Sequence, residues 1–182
     1  MFIIEGPDNV GKTTLAKRAV ELAVTEFNLP ARYSHMSKPS ALFNFSTHYR
    51  DMMSYYAVQD RFHLGALAYH PEGTLKEPAL RWIEGELLRR GSFVLLVLPG
   101  DMDWYRKRII ESGRHEMFRP EGILEAARRF EEIADDRVAH YDAISYVDVG
   151  GFTDDNELRE WLGIWADRVN FARLANGERE MA

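Results

Sequence analysis

The eight residues Gly6-Pro7-Asp8-Asn9-Val10-Gly11-Lys12-Thr13 constrain this chain more than any other feature. They fit the pattern Gly, four residues, Gly-Lys-Thr, in which each fixed position has its own physical purpose. The glycines let the backbone wrap closely enough for successive N–H groups to face a phosphate. Lys12 brings a positive charge to the β- and γ-phosphates, and the Thr13 hydroxyl can ligate Mg²⁺. Asn9, Val10, Gly11, Lys12, Thr13 and Thr14 are therefore the expected ATP-phosphate contacts. The context fits as well: an apolar run, Phe2-Ile3-Ile4, precedes the loop, and Leu15, Ala19, Leu22, Ala23 and Phe27 follow at helical spacing. A strand feeding a helix aims the helix's positive end at the anion.

The rest of the chain repeats this alternation. Strands are expected over 31–36, 55–59, 93–98 and 143–149. Helices are expected over 79–90, after an Asp101 cap, over 123–140 and over 156–175, with a short one somewhere in 41–54. The aromatic-rich stretch with Gly and Pro from about 61 to Pro78 reads as a loop. A polar insert bounded by Gly113 and Gly122 lies between two helices and reads as a lid. Strands alternating with helices require crossover connections, hence a three-layer α/β/α domain over 1–182. Its centre is a parallel sheet of about five strands.

Composition closes off other chemistries. The chain has no cysteine, which removes disulfides, thiolate metal sites and cysteine nucleophiles, and fits a reducing, cytoplasmic setting. No apolar run is long enough for a membrane span, and no cleavable leader is expected at the N-terminus. A formal net charge of −6 disfavours general binding along a duplex but allows a local basic groove. The six histidines lack paired metal-ligand spacing, and no Gly-x-Ser-x-Gly elbow occurs. The four tryptophans stand at helical positions suited to core packing.

Ile4-Glu5-Gly6-Pro7-Asp8-Asn9-Val10-Gly11-Lys12-Thr13-Thr14 resembles the opening of the thymidylate kinase family of P-loop nucleoside monophosphate kinases. A second segment extends the resemblance. Asp60-Arg61-Phe62-His63 leads without a gap to Leu67-Ala68-Tyr69, close to the family's Asp-Arg-Tyr and Leu-Ala-Tyr, and its viral members often carry Asp-Arg-Phe-His. The resemblance spans roughly residues 1–148. It implies ATP and Mg²⁺ as cofactors, a small nucleotide acceptor, and pairing of two copies through helices. It implies that Asp8 faces the acceptor sugar, although a carboxylate capping the loop backbone is the simpler reading. It implies that Arg61 clamps the acceptor phosphate, that Asp60 serves the metal or a proton, and that Phe62 and Tyr69 flank the acceptor base.

The loop has Asn9 where some members carry an arginine, so the resemblance points to arginines of the lid, Arg114 and Arg119, as catalytic. Arg129 matches an arginine of the helix after the lid. Two departures bear on the acceptor. The family's Arg-Glu-Pro reads Ser37-Lys38-Pro39 here, leaving Lys38 as the stand-in, and the interval from Lys12 to Asp60 is short for a thymidylate kinase. The leading expectation is phosphoryl transfer to a deoxynucleoside monophosphate. A kinase of 5-hydroxymethyluracil in phage DNA is the alternative that a more open acceptor region allows. A nucleotide-dependent switch that binds a protein partner is the reading from another class.

Overall fold

In the computed structural model, the described residues are 1–36, 49–50, 52–70, 75, 77–113, 119–136, 141–148, 151–152 and 154–177. Five short strands form one sheet: β1 (Phe2–Glu5), β2 (Arg32–His35), β3 (Ala57–Asp60), β4 (Phe93–Pro99) and β5 (Ala143–Val147). Their order is β2-β3-β1-β4-β5, and every neighbouring pair runs parallel. The helices between them are α1 (Lys12–Thr25), α2 (His63–Tyr69), α3 (Glu77–Arg89), α4 (Met102–Ser112), α5 (Pro120–Asp136) and α6 (Asp155–Ala175). The expected α/β architecture with a parallel five-stranded sheet is the observed one.

Alternation along the strands explains the layering. Phe2, Ile4, Phe93, Leu95 and Val97 point to one side, where α1 and α6 cover them with Leu15, Ala19, Leu162 and Trp165. Ile3, Val94, Leu96 and Leu98 point to the other, where Leu64, Leu80, Ile83 and Phe130 pack on them. A strand buried on both faces favours apolar residues at successive positions, and β4 reads Phe-Val-Leu-Leu-Val-Leu-Pro without a polar break. The Phe2 and Phe93 rings stack at 5.2 Å, and Trp165 tilts against Phe2 at 5.7 Å. Trp165 and Trp161 are core residues, whereas Trp82 and Trp104 lie at its margin.

Helix ends follow local chemistry. The Asp101 carboxylate accepts from the N–H groups of Asp103 and Trp104 and starts α4, and Gly113 ends it in the left-handed region with φ 57°. Asp154 starts α6 in the same way.

The segment after β3 differs from the sequence expectation. Residues 63–69 form α2 instead of a loop, and α3 begins at Glu77. The reason is tertiary. The buried Glu5 carboxylate accepts from the N–H groups of Leu64 (2.8 Å) and Gly65 (3.3 Å), and Arg129 donates to the Ala68 carbonyl at 3.1 Å. Both ends of a helix too short to persist alone are thereby held. Tyr55 and Tyr56 belong to a turn, so β3 starts at Ala57. Within 41–54, residues 49, 50 and 52 are helical. Residues 114–118 of the lid insert lie outside the described residues.

Because β1 sits between β3 and β4, the connections diverge to opposite sides beyond its carboxyl end. Crevices of this kind open at such a switch point in parallel sheets. The glycine-rich loop, the end of β3 and the end of β2 all meet there.

Candidate functional site

The loop between β1 and α1 is shaped by its two glycines for different reasons. Gly6 has φ 143°, and a Cβ there would lie 2.1 Å from the Val97 carbonyl oxygen, so the loop can cross β4 only with no side chain. Gly11 has φ 106° and open space where its Cβ would be, leaving the cradle unfilled. Asn9 also adopts a left-handed conformation, φ 65°, and its buried side-chain nitrogen has no hydrogen-bond partner. The Val10 side chain is sunk in the core, so it anchors the loop and leaves only its backbone for a ligand. No side chain caps α1, and no acidic residue stands in its first turn. Its positive end is therefore unneutralised where the loop opens.

Lys12 is nearly buried and donates to the Pro7 carbonyl at 2.6 Å, with Asp8 Oδ1 at 3.9 Å. Burial pulls its pKa down to about 8, opposed by the Asp8 charge and reinforced by Arg61.

Asp60 closes β3 and is fully buried. Three side chains converge on one of its oxygens, Oδ2: the Thr13 hydroxyl at 2.6 Å, the Tyr33 hydroxyl at 3.1 Å and His35 Nδ1 at 3.1 Å. An ionised carboxylate only accepts, so His35 Nδ1 carries the hydrogen. Burial works to raise this carboxyl, but the Thr13 bond, the Lys12 charge and His35 together hold it below the ordinary Asp range. The other oxygen, Oδ1, is buried with no donor among the described residues. An orphaned carboxylate oxygen beside a threonine hydroxyl whose hydrogen goes to the other oxygen of the same carboxylate is a hard, all-oxygen donor set suited to Mg²⁺.

The next residue turns the opposite way. Arg61 has φ 69°, a strained conformation for a side-chain-bearing residue, and it swings away from Thr13 toward the loop. Its Nη2 lies 2.8 Å from Asp8 Oδ1, while its Nε is buried without a partner. Two tyrosines bracket the Asp8 peptide. The Asp8 N–H donates to the Tyr69 hydroxyl at 2.7 Å, and the Tyr105 hydroxyl donates to the Asp8 carbonyl. Burial first, then neighbouring charge or hydroxyl, pushes both phenols well above the ordinary tyrosine range and keeps them protonated.

Of the residues singled out from sequence, Asp8, Lys12, Thr13, Asp60, Arg61 and Tyr69 come together in this cleft. Phe62 goes elsewhere: it is 2% exposed and packs edge-on against Tyr49 at 4.8 Å. A ring so enclosed has no face to offer an acceptor base. Arg129 pairs with Glu125 at 3.4 Å and holds the end of α2. It supports the helix that carries Tyr69. Arg119 is exposed just before α5, and Lys38 and Arg114 lie outside the described residues. Tyr33, His35 and Tyr105 were not singled out from sequence. A Tyr-x-His alternation ending a strand next to the Asp-Arg strand was the available signal for the first two. For Tyr105 it was its place in the first turn after β4.

The chain shares its fold with the YorR protein of Bacillus subtilis, solved in complex with phosphorylated GDP. The TM-score is 0.63 and the identity 21%, over 98% of this chain and 99% of that one. No protein-family model matches the sequence, and no curated protein is significantly similar to it. Among the described residues, no helix is long and apolar enough to cross a membrane.

Proposed function

We propose that this chain is an ATP- and Mg²⁺-dependent phosphotransferase whose acceptor is a deoxynucleoside monophosphate. The observation that carries the reading is the divergence of two consecutive residues: Asp60 turns to Thr13 on the donor side, and Arg61 turns to Asp8. One backbone step thus supplies groups to both partners of a transfer.

In this reading Lys12 and the N–H groups at the head of α1 hold the donor's phosphates. Thr13 and Asp60 would hold Mg²⁺, which when bound neutralises charge on the β- and γ-phosphates. Arg61 holds the acceptor phosphate, one oxygen of which forms a bond to the γ-phosphorus. The bond from that phosphorus to the β–γ bridging oxygen breaks, and ADP leaves with the electron pair. A phosphate monoester loses its second proton near pH 6, so it needs no base to attack. Asp60 is then required for the metal and not for a proton. The lid arginines, Arg114 and Arg119, supply further positive charge to the transferring group. Asp8, steadied by Tyr69 and Tyr105, faces the acceptor sugar.

The test is ADP production from ATP and Mg²⁺ with a panel of acceptors. The panel holds the four deoxynucleoside monophosphates, an oligonucleotide bearing 5-hydroxymethyluracil, and no acceptor. Because YorR was solved with phosphorylated GDP, guanine nucleotides belong in the panel beside thymidylate. ADP matched one-to-one by a nucleoside diphosphate supports the proposal. Labelling of the oligonucleotide alone makes the chain a DNA kinase, and acceptor-independent hydrolysis makes it a switch or ATPase.

A further inference from the structure

Both oxygens of Asp60 are buried, yet among the described residues their surroundings are opposite: Oδ2 collects three donors and Oδ1 none. We infer that Tyr33 and His35 are positioning residues that lock Oδ2 and thereby leave Oδ1 turned toward the metal of the bound nucleotide. The inference rests on the donor-site reading above.

The sequence and the register build this arrangement. Tyr33 and His35 are two apart on β2, so both side chains leave the same face of the sheet. Parallel pairing sets His35 opposite Asp60 and Tyr33 opposite Val58, whose side chain enters the α1-side core. The face is therefore the one that α1 covers, and Thr13 closes the cluster from the first turn of α1. Donors reaching one oxygen from two elements oppose rotation of the carboxylate about its Cβ–Cγ bond. A single donor from Thr13 would leave that rotation open, and the oxygen offered to a metal would alternate. Such supporting bonds to a ligating carboxylate typically contribute about 10–100-fold in metal affinity. Tyr33 and His35 are each a little over one-third exposed, so neither is placed to stabilise the core.

The alternative is that they only satisfy a buried charge. Their loss would then lower the melting temperature and leave metal affinity unchanged. The experiment measures Mn²⁺ affinity by the spin-resonance signal of the free ion, with protein saturated by a non-hydrolysable ATP analogue. Affinity for the analogue without divalent metal is measured in parallel. For Tyr33→Phe/His35→Ala the expected result is a loss of about tenfold or more in Mn²⁺ affinity, with metal-free analogue affinity within about twofold of wild type. His35→Asn, which keeps an N–H near the position of Nδ1, should recover most of the loss in the Tyr33 background. Unchanged Mn²⁺ affinity in the double variant overturns the inference, as does an equal loss of metal-free analogue binding. If wild type binds no analogue, the donor-site reading fails first, and this one with it.

Discussion

Arg61 Nη2 lies 2.8 Å from Asp8 Oδ1, but the approach is not aligned as a hydrogen bond, and among the described residues that oxygen has no other hydrogen-bond donor. The two charges face each other across the cleft while each keeps unused bonding capacity. An acceptor carrying a phosphate and a sugar hydroxyl offers both of them better partners. The pair is an ion pair with bonding capacity left on both partners.

Arg61→Ala should raise the acceptor KM and lower kcat while leaving ATP affinity nearly unchanged. Loss of a forked, charged contact is worth on the order of 3 kcal/mol, about a hundredfold in kcat/KM. Steady-state kinetics with each substrate varied in turn checks it. Equal weakening of ATP and acceptor would move Arg61 to the donor side.

Asp8 reports whether the acceptor is free. A carboxylate accepts a hydrogen bond from a 3′-hydroxyl but repels a phosphodiester there, by roughly 1 kcal/mol or more even when solvated. Asp8→Ala should weaken a monophosphate acceptor and bring no gain on single-stranded oligonucleotides of the same base. Improved labelling of oligonucleotides by the variant would identify a strand as the natural acceptor.

Tyr105→Phe removes the hydroxyl that holds the Asp8 carbonyl. One neutral hydrogen bond contributes about 1 kcal/mol, so a drop of roughly fivefold in acceptor kcat/KM is expected, with the melting temperature lowered by only about 2–4 °C. A loss confined to stability would make Tyr105 a packing residue only.

Glu5 links stability to pH. Burial, partly offset by the Phe62, Leu64 and Gly65 backbone bonds and the Lys12 charge, pushes its carboxyl up to about 7 from an ordinary 4.5. Between these values the folded state binds the extra proton, so this group's contribution is full below about pH 4.5 and is lost as pH rises through 7. The shift corresponds to roughly 3 kcal/mol. Glu5→Gln cannot ionise, so its stability relative to wild type should improve by an amount of that order between pH 5 and 8. Urea denaturation at both pH values measures it, and a constant difference would show that Glu5 does not titrate in this window.

The glycine-rich loop and the strand–helix alternation were legible because both are local. The unbroken apolar run of β4 and the helical spacing after Gly11 follow from which faces must be covered. The helix α2 was not legible, because its ends are held by Glu5 and Arg129, 59 and 61 positions away from the groups they bind. Asp60 and Arg61 could be named from their motif, but their divergence depends on a left-handed backbone that no residue type announces. Phe62 read as a stacking platform because aromatic residues beside a site and aromatic residues in a core look alike in one dimension. Tyr33, His35 and Tyr105 carried only a faint signal, because their place at the site comes from strand register and from the crossing of the loop over β4.

The central claim is that the glycine-rich loop transfers a phosphoryl group, and Lys12 tests it most directly. The measurement is transfer of the γ-phosphate of labelled ATP to deoxynucleoside monophosphates by wild type and by Lys12→Ala, with folding of the variant checked by circular dichroism. The account predicts labelled nucleoside diphosphate from wild type and a loss on the order of a hundredfold or more from the folded variant, the scale of removing a buried charged contact to the transferring group. Near-normal transfer by Lys12→Ala would contradict it.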